Sequence, residues 1–330
     1  MATSASGGRT EEDKPSILST LPKHLPLDFL KSITDQFSEK HVIGKGAFGT
    51  VYKGTTPDGE TIAVKKLAEN SPLPRDKAFN NEVQNIMALH HENVVKLVGC
   101  CHESQKKVVQ NNGRYIVADI VESVLCYEYL PGGSLKNNLF VILCVTSSGD
   151  TKMDWDTRFN IIKGICEGLL FVHSIPIVHM DLKPKNILLD SNMVPKIADF
   201  GLSRLFGQEQ TRMNTQNVVG SCGYIAPEYV YRGEISTKSD IYSLGVLILE
   251  TTTREENCRG NKPSAEQFIK KVHENWTGQH IVSEYPSLKA DSLRQIKKCI
   301  KIGLQCVETN RQRRPSIEEI TNQLNGRHSS

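Results

Sequence analysis

The apolar residues of this chain change period once, and that change restricts what it can fold into. In the first part, "HVIGKGAFGTVYKG", "ETIAVKKL", "NVVKLVGCC" and "SVLCYEYL" have strand character, with "PDGE" (57–60) as a hairpin turn. One helical segment interrupts them: "DKAFNNEVQNIMALH" sets Phe79, Val83, Ile86 and then Leu89 or His90 along one side. After "PGGS" (131–134) the pattern turns helical. "RFNIIKGICEGLLFVH" repeats apolar residues at intervals of three and four, and "DIYSLGVLILETTT" is apolar nearly all round, as a helix inside a core must be. "SIEEITNQL" opens with a capping box, Ser316 and Glu319. A strand-rich part of about 95 residues ahead of a helix-rich part of about 200 implies an α+β protein of two unequal lobes. We set its divisions at a disordered polar tail over 1–22, a helical lead-in over 23–37 and a first lobe over 38–130; a second lobe over 131–325 and a tail over 326–330 follow. The lead-in rests on Leu27, Leu30, Ile33 and Phe37 at helical spacing.

Composition excludes some functions. A net charge of +3 over 330 residues, with no long Lys/Arg run, gives no nucleic-acid footprint. The nine cysteines form no C-x-x-C pair, and "MATSASGGRTEEDK" lacks the apolar core of a secretory signal, so we expect free thiols in a reducing cytosol. Cys100, Cys101 and His102, with His90 and His91 nearby, invite a metal reading, but their spacing fits no zinc pattern. No apolar run approaches the ~18 residues that span a bilayer. Ala2 and the terminal "GRHSS" lack lipidation signals, so we expect a soluble, cytoplasmic chain.

"GKGAFGTV" places Gly44, Gly46 and Gly49 in a G-x-G-x-x-G pattern. Dinucleotide-binding loops share that spacing but lead from strand to helix, whereas here strand follows strand. Such a hairpin tip can fold over phosphates, its glycines letting backbone N–H groups approach; a plain flexible turn reads the same way. Lys65 lies on the next strand, 16 residues beyond Gly49. Turned inward it needs a carboxylate partner, which Glu82 on the following helix can supply; Lys66, its neighbour, then faces out.

Taken in order, Gly44-x-Gly46-x-Phe48-Gly49-x-Val51, Lys65, Glu82, His179-x-Asp181-Leu182-x-x-x-Asn186, Asp199-Phe200-Gly201 and Ala226-Pro227-Glu228 resemble the protein-kinase pattern over about residues 38–325. The wording "LVGCC", "GYIAPEY" and "SDIYSLGVLILE" is similar to plant receptor-like kinases of the Pelle/IRAK-like group.

The resemblance implies the bilobal kinase fold and an ATP-dependent Ser/Thr kinase using Mg²⁺ or Mn²⁺ on a protein substrate. It implies that Gly44, Lys45, Gly46, Ala47, Phe48 and Gly49 cover the phosphates, and that Val51, Ala63 and Leu188 sandwich the adenine. Tyr127 falls at the gatekeeper position, and the Glu128 carbonyl and Leu130 amide would read the adenine edge. Lys65, held by Glu82, would meet phosphate oxygens; Asp199 and Asn186 would hold the metal. Asp181 would accept or orient the substrate hydroxyl proton, and Lys183 would reach the γ-phosphate. Lys183 would also mark Ser/Thr acceptors, with dual specificity left open, and Ser221, where this group usually has threonine, would bond to Asp181 and Lys183. Asp240 would hold catalytic-loop amides, and Glu228 would pair with Arg314.

The chain also departs from the pattern. "QKKVVQNNGRYIVADIVES" lengthens the link before the gatekeeper strand, as a surface hairpin. "NNLFVILCVTSSGDTKMDW" carries an apolar run over 139–145, open to three readings: an extended helix with a buried end, a docking patch, or imperfect gene modelling. Met180 stands where the family usually has arginine, and a thioether cannot pair with an activating phosphate. The resemblance therefore implies a non-RD kinase whose segment 199–228 needs no phosphate, with Thr211 and Thr215 as outputs or docking marks. The competing reading is a pseudokinase scaffold, against which Lys65, Asp181, Asn186 and Asp199 are all present; an oxidoreductase rests on the glycines alone. Defence or developmental signalling, a receptor or co-kinase partner, and tethering to the plasma membrane through that partner are the settings this kinship implies.

Overall fold

The computed structural model describes residues 22–69, 74–87, 89–111, 113–140, 153–206, 213–257, 265–285 and 288–327. The first part is a six-stranded sheet: β1 (Lys23–His24), β2 (Val42–Gly46), β3 (Gly49–Thr55), β4 (Thr61–Leu67), β5 (Leu97–Asn111) and β6 (Arg114–Glu128). Its spatial order is β1-β5-β6-β4-β3-β2, and every pair except β1 with β5 is antiparallel. Side chains alternate between its faces. On β4, Ile62 and Val64 point to one face, where they pack with Tyr52, Val98, Val124 and Cys126 beneath the helix α1 (Leu27–Ile33). Ala63, Lys65 and Leu67 point to the other, against α2 (Arg75–Ile86) and the helical part.

The expected helical lead-in over 23–37 is corrected at both ends. Residues 23 and 24 form the strand β1, in register with Gly99 and Cys100. The helix stops at Ile33, where the Thr34 hydroxyl turns back to the Leu30 carbonyl (2.6 Å) and the backbone becomes left-handed at Asp35, Gln36 and Phe37 (φ 50°, 57° and 57°). Phe37 continues the helical spacing only on paper. It packs on Tyr52, ring centroids 5.4 Å apart, and lies under the Lys66 ammonium. The lengthened link is the expected hairpin: β5 and β6 pair from Cys101↔Val124 out to Asn111↔Arg114, past the end of the β4 pairing at Lys66↔Val124.

The second part is helical. It comprises α3 (Leu135–Phe140), α4 (Trp155–Ser174), α5 (Pro227–Arg232), α6 (Thr237–Thr253), α7 (Ala265–Asn275), α8 (Gly278–Glu284), α9 (Ala290–Cys306) and α10 (Ile317–Leu324). Every residue from Ser239 to Thr253 on α6 is buried, which is why that stretch reads apolar all round. A Cβ at Gly245 would lie 2.6 Å from the Cys306 Cβ, so glycine there lets α6 touch α9. The capping box of α10 forms as read, Ser316 with Glu319. Leu139 of the apolar run is buried in α3 and Phe140 packs half-buried on the same core; residues 141–145 of that run lie outside the described residues. No described helix is long and apolar enough to cross a membrane.

Candidate active site

Sheet register brings the first group of site residues together. Val51↔Lys65↔Leu125 and Lys53↔Ala63↔Tyr127 are cross-strand partners, so these positions share the face turned toward the helical part. Val51 and Ala63 are half-buried there, as is Leu188 from across the cleft, whereas Tyr127 is buried. The Lys65 ammonium donates to both Glu82 oxygens (3.0 and 2.9 Å) and to Asp199 Oδ1 (2.7 Å). The Tyr127 hydroxyl adds a bond to Glu82 Oε1 (2.5 Å). Burial alone would lower the Lys65 pKa, but the Asp199 and Glu82 carboxylates outweigh it and raise it. Burial likewise would raise Asp199, but Lys65 holds its carboxyl below the usual range. Glu82, the deeper acid, is raised by burial despite Lys65. The cluster therefore keeps a permanent cation between two carboxylates of unequal acidity.

The second group is a loop held from below. Strand β7 (Gly133–Ser134) pairs with β9 (Ile187–Leu189), which pairs with β10 (Pro195–Ile197); β8 (Ile177–Val178) leads into the loop. Asp240 on α6, fully buried, accepts from the backbone amides of His179 (2.7 Å) and Met180 (2.9 Å) and from the His173 ring (3.0 Å). That anchor supports a left-handed backbone at Met180 (φ 71°), which sets the direction of Asp181. Asp181 Oδ1 accepts from the Ser221 hydroxyl (2.7 Å), and Oδ2 accepts from Lys183 (2.6 Å) and the Asn186 amide (2.9 Å). Lys183 also donates to the Ser221 hydroxyl (2.5 Å). Arg314 grips Glu228 with two parallel bonds (2.8 and 2.7 Å), its guanidinium wholly buried.

The glycine hairpin closes over these groups. A Cβ at Gly49 (φ 152°) would meet the Lys66 carbonyl at 2.1 Å, so only glycine fits. Lys45 reaches Glu39 on the outside (2.8 Å), Gly44, Gly46 and Ala47 complete the tip, and Phe48 packs inward on the apolar cluster around Met180. Glu128 ends β6 with its carboxylate held by the Lys96 amide (2.8 Å) and by Lys196 (3.2 Å); Leu130 is buried just beyond. The Asp199 carboxylate and the side-chain amide oxygen of Asn186 are hard oxygen donors, a set that suits Mg²⁺, and the nearby His179 ring is already engaged with the Ala198 carbonyl and the Asp181 amide. Three supporting residues, Lys185, Asn85 and His173, escaped sequence reasoning, as did the bond made by the Tyr127 hydroxyl. Lys185 donates to the Lys45 carbonyl (2.9 Å), Asn85 to the Ser203 hydroxyl (2.8 Å), and His173 and the Tyr127 hydroxyl act as described. Asn85 had a signal, lying three residues after Glu82 on the same helix. Thr215 is half-buried, and Thr211 lies outside the described residues.

Comparison with known proteins accounts for this arrangement. The family model described as "Protein kinase domain" matches residues 37–324. The chain is 39% identical to the G-type lectin S-receptor-like serine/threonine-protein kinase SRK of Arabidopsis thaliana, over 90% of this chain and 34% of that protein. It is 38% identical to cysteine-rich receptor-like protein kinase 29 of Arabidopsis thaliana, over 96% of this chain and 45% of that protein. It is also 39% identical to cysteine-rich receptor-like protein kinase 6 of Oryza sativa subsp. japonica, over 90% and 40%. The chain thus spans less than half the length of these relatives. With the model match covering most of its length and these likenesses along it, the chain belongs to the protein kinase domain family.

Proposed function

We propose that this chain is a serine/threonine protein kinase that transfers the γ-phosphate of ATP to a protein hydroxyl without needing a phosphate on its own 199–228 segment. The observation that carries the reading is the Asp181 carboxylate, held by Ser221, Lys183 and Asn186 in the cleft that also holds Lys65, Glu82 and Asp199. In this reading the glycine hairpin covers the phosphates, and Val51, Ala63 and Leu188 flank the base near Tyr127, Glu128 and Leu130. Lys65 neutralises phosphate oxygens. Asp199 and Asn186 would hold Mg²⁺, which supplies charge neutralisation when bound. Asp181 orients the acceptor hydroxyl and takes its proton, while Lys183 steadies the transferred group. Met180 supports the non-RD part: it is buried in an apolar cluster with Val178, Leu202, Phe206, Tyr229 and Ile235, which offers a phosphate nothing to bind. We place the lobe division between residues 130 and 131, and the setting in receptor-linked defence signalling beside a membrane-bound partner. The relatives' names, which read receptor-like kinase, support the receptor link.

The test is transfer of labelled γ-phosphate to a protein acceptor by wild type, Lys65→Met and Asp181→Asn, followed by analysis of the phosphorylated residues. Wild type labels Ser and Thr, and both variants lose the signal. Equal signal from all three proteins ends the reading.

A further inference from the structure

The fold scatters the cysteine–histidine group that the sequence offers as a metal cluster. His91 accepts from the Asn93 amide (3.0 Å) and stacks on Phe171, and His102 stacks on Phe79 with its ring 3.0 Å from the Ser123 hydroxyl. Cys101 meets a different pair. Strand β1 lies parallel to β5 with His24 in register with Cys100, and Glu103 follows Cys101 on the same face of β5. A ring nitrogen of His24, the Cys101 sulfur and a Glu103 carboxylate oxygen all lie within 4.8 Å of one another. We propose that His24, Cys101 and Glu103 form a divalent-cation site of the zinc class, which clips the segment entering the first lobe onto the sheet.

Three observations support it. The His24 Nε2 to Glu103 Oε1 separation is 3.6 Å. That exceeds the usual ~2.7–3.2 Å of a hydrogen bond. It is close to the about 3.4 Å expected between two ligands on one tetrahedral zinc. The donor set is N, S and O, and a cysteine sulfur, which gives up its thiol proton on binding, favours zinc over the hard cations suited to Asp199 and Asn186. The site is also accessible and braced. The His24 side chain is 62% exposed and Glu103 34%, which gives an ion a path to the buried thiol. The Leu27 amide donates to Glu103 Oε1 (3.2 Å) and fixes that carboxylate, as outer partners do in metal sites. The clip would add to the ties that already hold this segment, the two-residue β1 pairing and the Leu25 amide to the Cys100 carbonyl (2.9 Å).

The test uses the full chain stripped with chelator and titrated with Co²⁺, then with Zn²⁺. Wild type is expected to bind one Co²⁺ with a thiolate-to-metal charge-transfer band that Zn²⁺ displaces. Cys101→Ser and His24→Ala lose the band. His24 is exposed, so its replacement keeps the fold. Glu103→Gln retains an acceptor for Leu27 and weakens binding at least about tenfold. Zn²⁺ raises the melting temperature of wild type and leaves that of His24→Ala unchanged. Absence of the band in wild type, or a band of equal strength in His24→Ala or Cys101→Ser, overturns the proposal.

Discussion

Replacing Asp240 with asparagine tests how the catalytic loop is held. The carboxylate is fully buried and accepts from the His179 and Met180 amides at 2.7 and 2.9 Å, with the His173 ring at 3.0 Å. Asparagine keeps one acceptor oxygen and turns an NH₂ group toward the other backbone amide, leaving donor against donor. A buried donor without a partner costs about 1–3 kcal/mol, and bonds to a charged acceptor are the stronger kind. Met180 holds a left-handed backbone, itself unfavourable by about 1–2 kcal/mol, which the Asp240 anchor sustains. The loss is therefore about 2–4 kcal/mol, a fall in melting temperature of about 3–6 °C for a chain of this length. If Met180 relaxes, Asp181 rotates, and a misplacement of about 1 Å can lower turnover about 100-fold. The KM for ATP changes little, because Lys65, Glu82 and Asp199 do not touch Asp240. Thermal denaturation and steady-state kinetics of Asp240→Asn measure all three quantities. A variant with the melting temperature and kcat of wild type would refute the anchoring argument.

Three further outcomes follow from the same geometry. Ser221→Ala removes one bond each from Asp181 and Lys183; kcat on a protein acceptor falls about tenfold, the equivalent of one net hydrogen bond, with the KM for ATP unchanged, and Ser221→Thr restores it. Glu228→Gln leaves the buried Arg314 guanidinium without its counter-charge and destabilises by about 3–5 kcal/mol in urea unfolding, whereas a loss under 1 kcal/mol would show the pair to be dispensable. Glu250, fully buried on α6 with the Tyr224 hydroxyl and Asn257 amide as donors, is pushed by burial from an ordinary 4.5 up to about 7. Its folded form holds the proton longer than the unfolded form, so stability falls as pH rises from about 4.5 to about 7, by up to roughly 3 kcal/mol. Glu250→Gln removes that slope from urea midpoints, and an identical pH profile in the variant would contradict it.

What could be read from the sequence depended on how local the cause was. Alternation on β4 put Lys65 inward and Lys66 outward, and helical spacing put Glu82 where it could answer Lys65; both are short-range arguments, and the bonds form. Glu228 with Arg314, 86 residues apart, and Asp240 with the loop amides came only through family resemblance, because no periodicity links them. Phe37 misled because three successive non-glycine residues, Asp35 to Phe37, take left-handed backbone, which their side chains do not announce. The Lys65–Asp199 bond spans 134 positions and exists because the sheet and the helical part meet at the cleft. The meeting of His24 with Cys101 and Glu103 was hidden for a like reason: a two-residue parallel strand leaves almost no pattern.

The central claim is that the phosphotransfer machinery is complete and the phosphate switch disconnected, and one measurement addresses both halves. The chain is treated with phosphatase until its intact mass shows no phosphate, the phosphatase is removed, and γ-phosphate transfer to an external protein is followed from the first seconds beside untreated enzyme. The account predicts immediate transfer at the same initial rate in both samples. A lag that ends only as phosphate accumulates on the 199–228 segment, or no transfer in either sample, would contradict it.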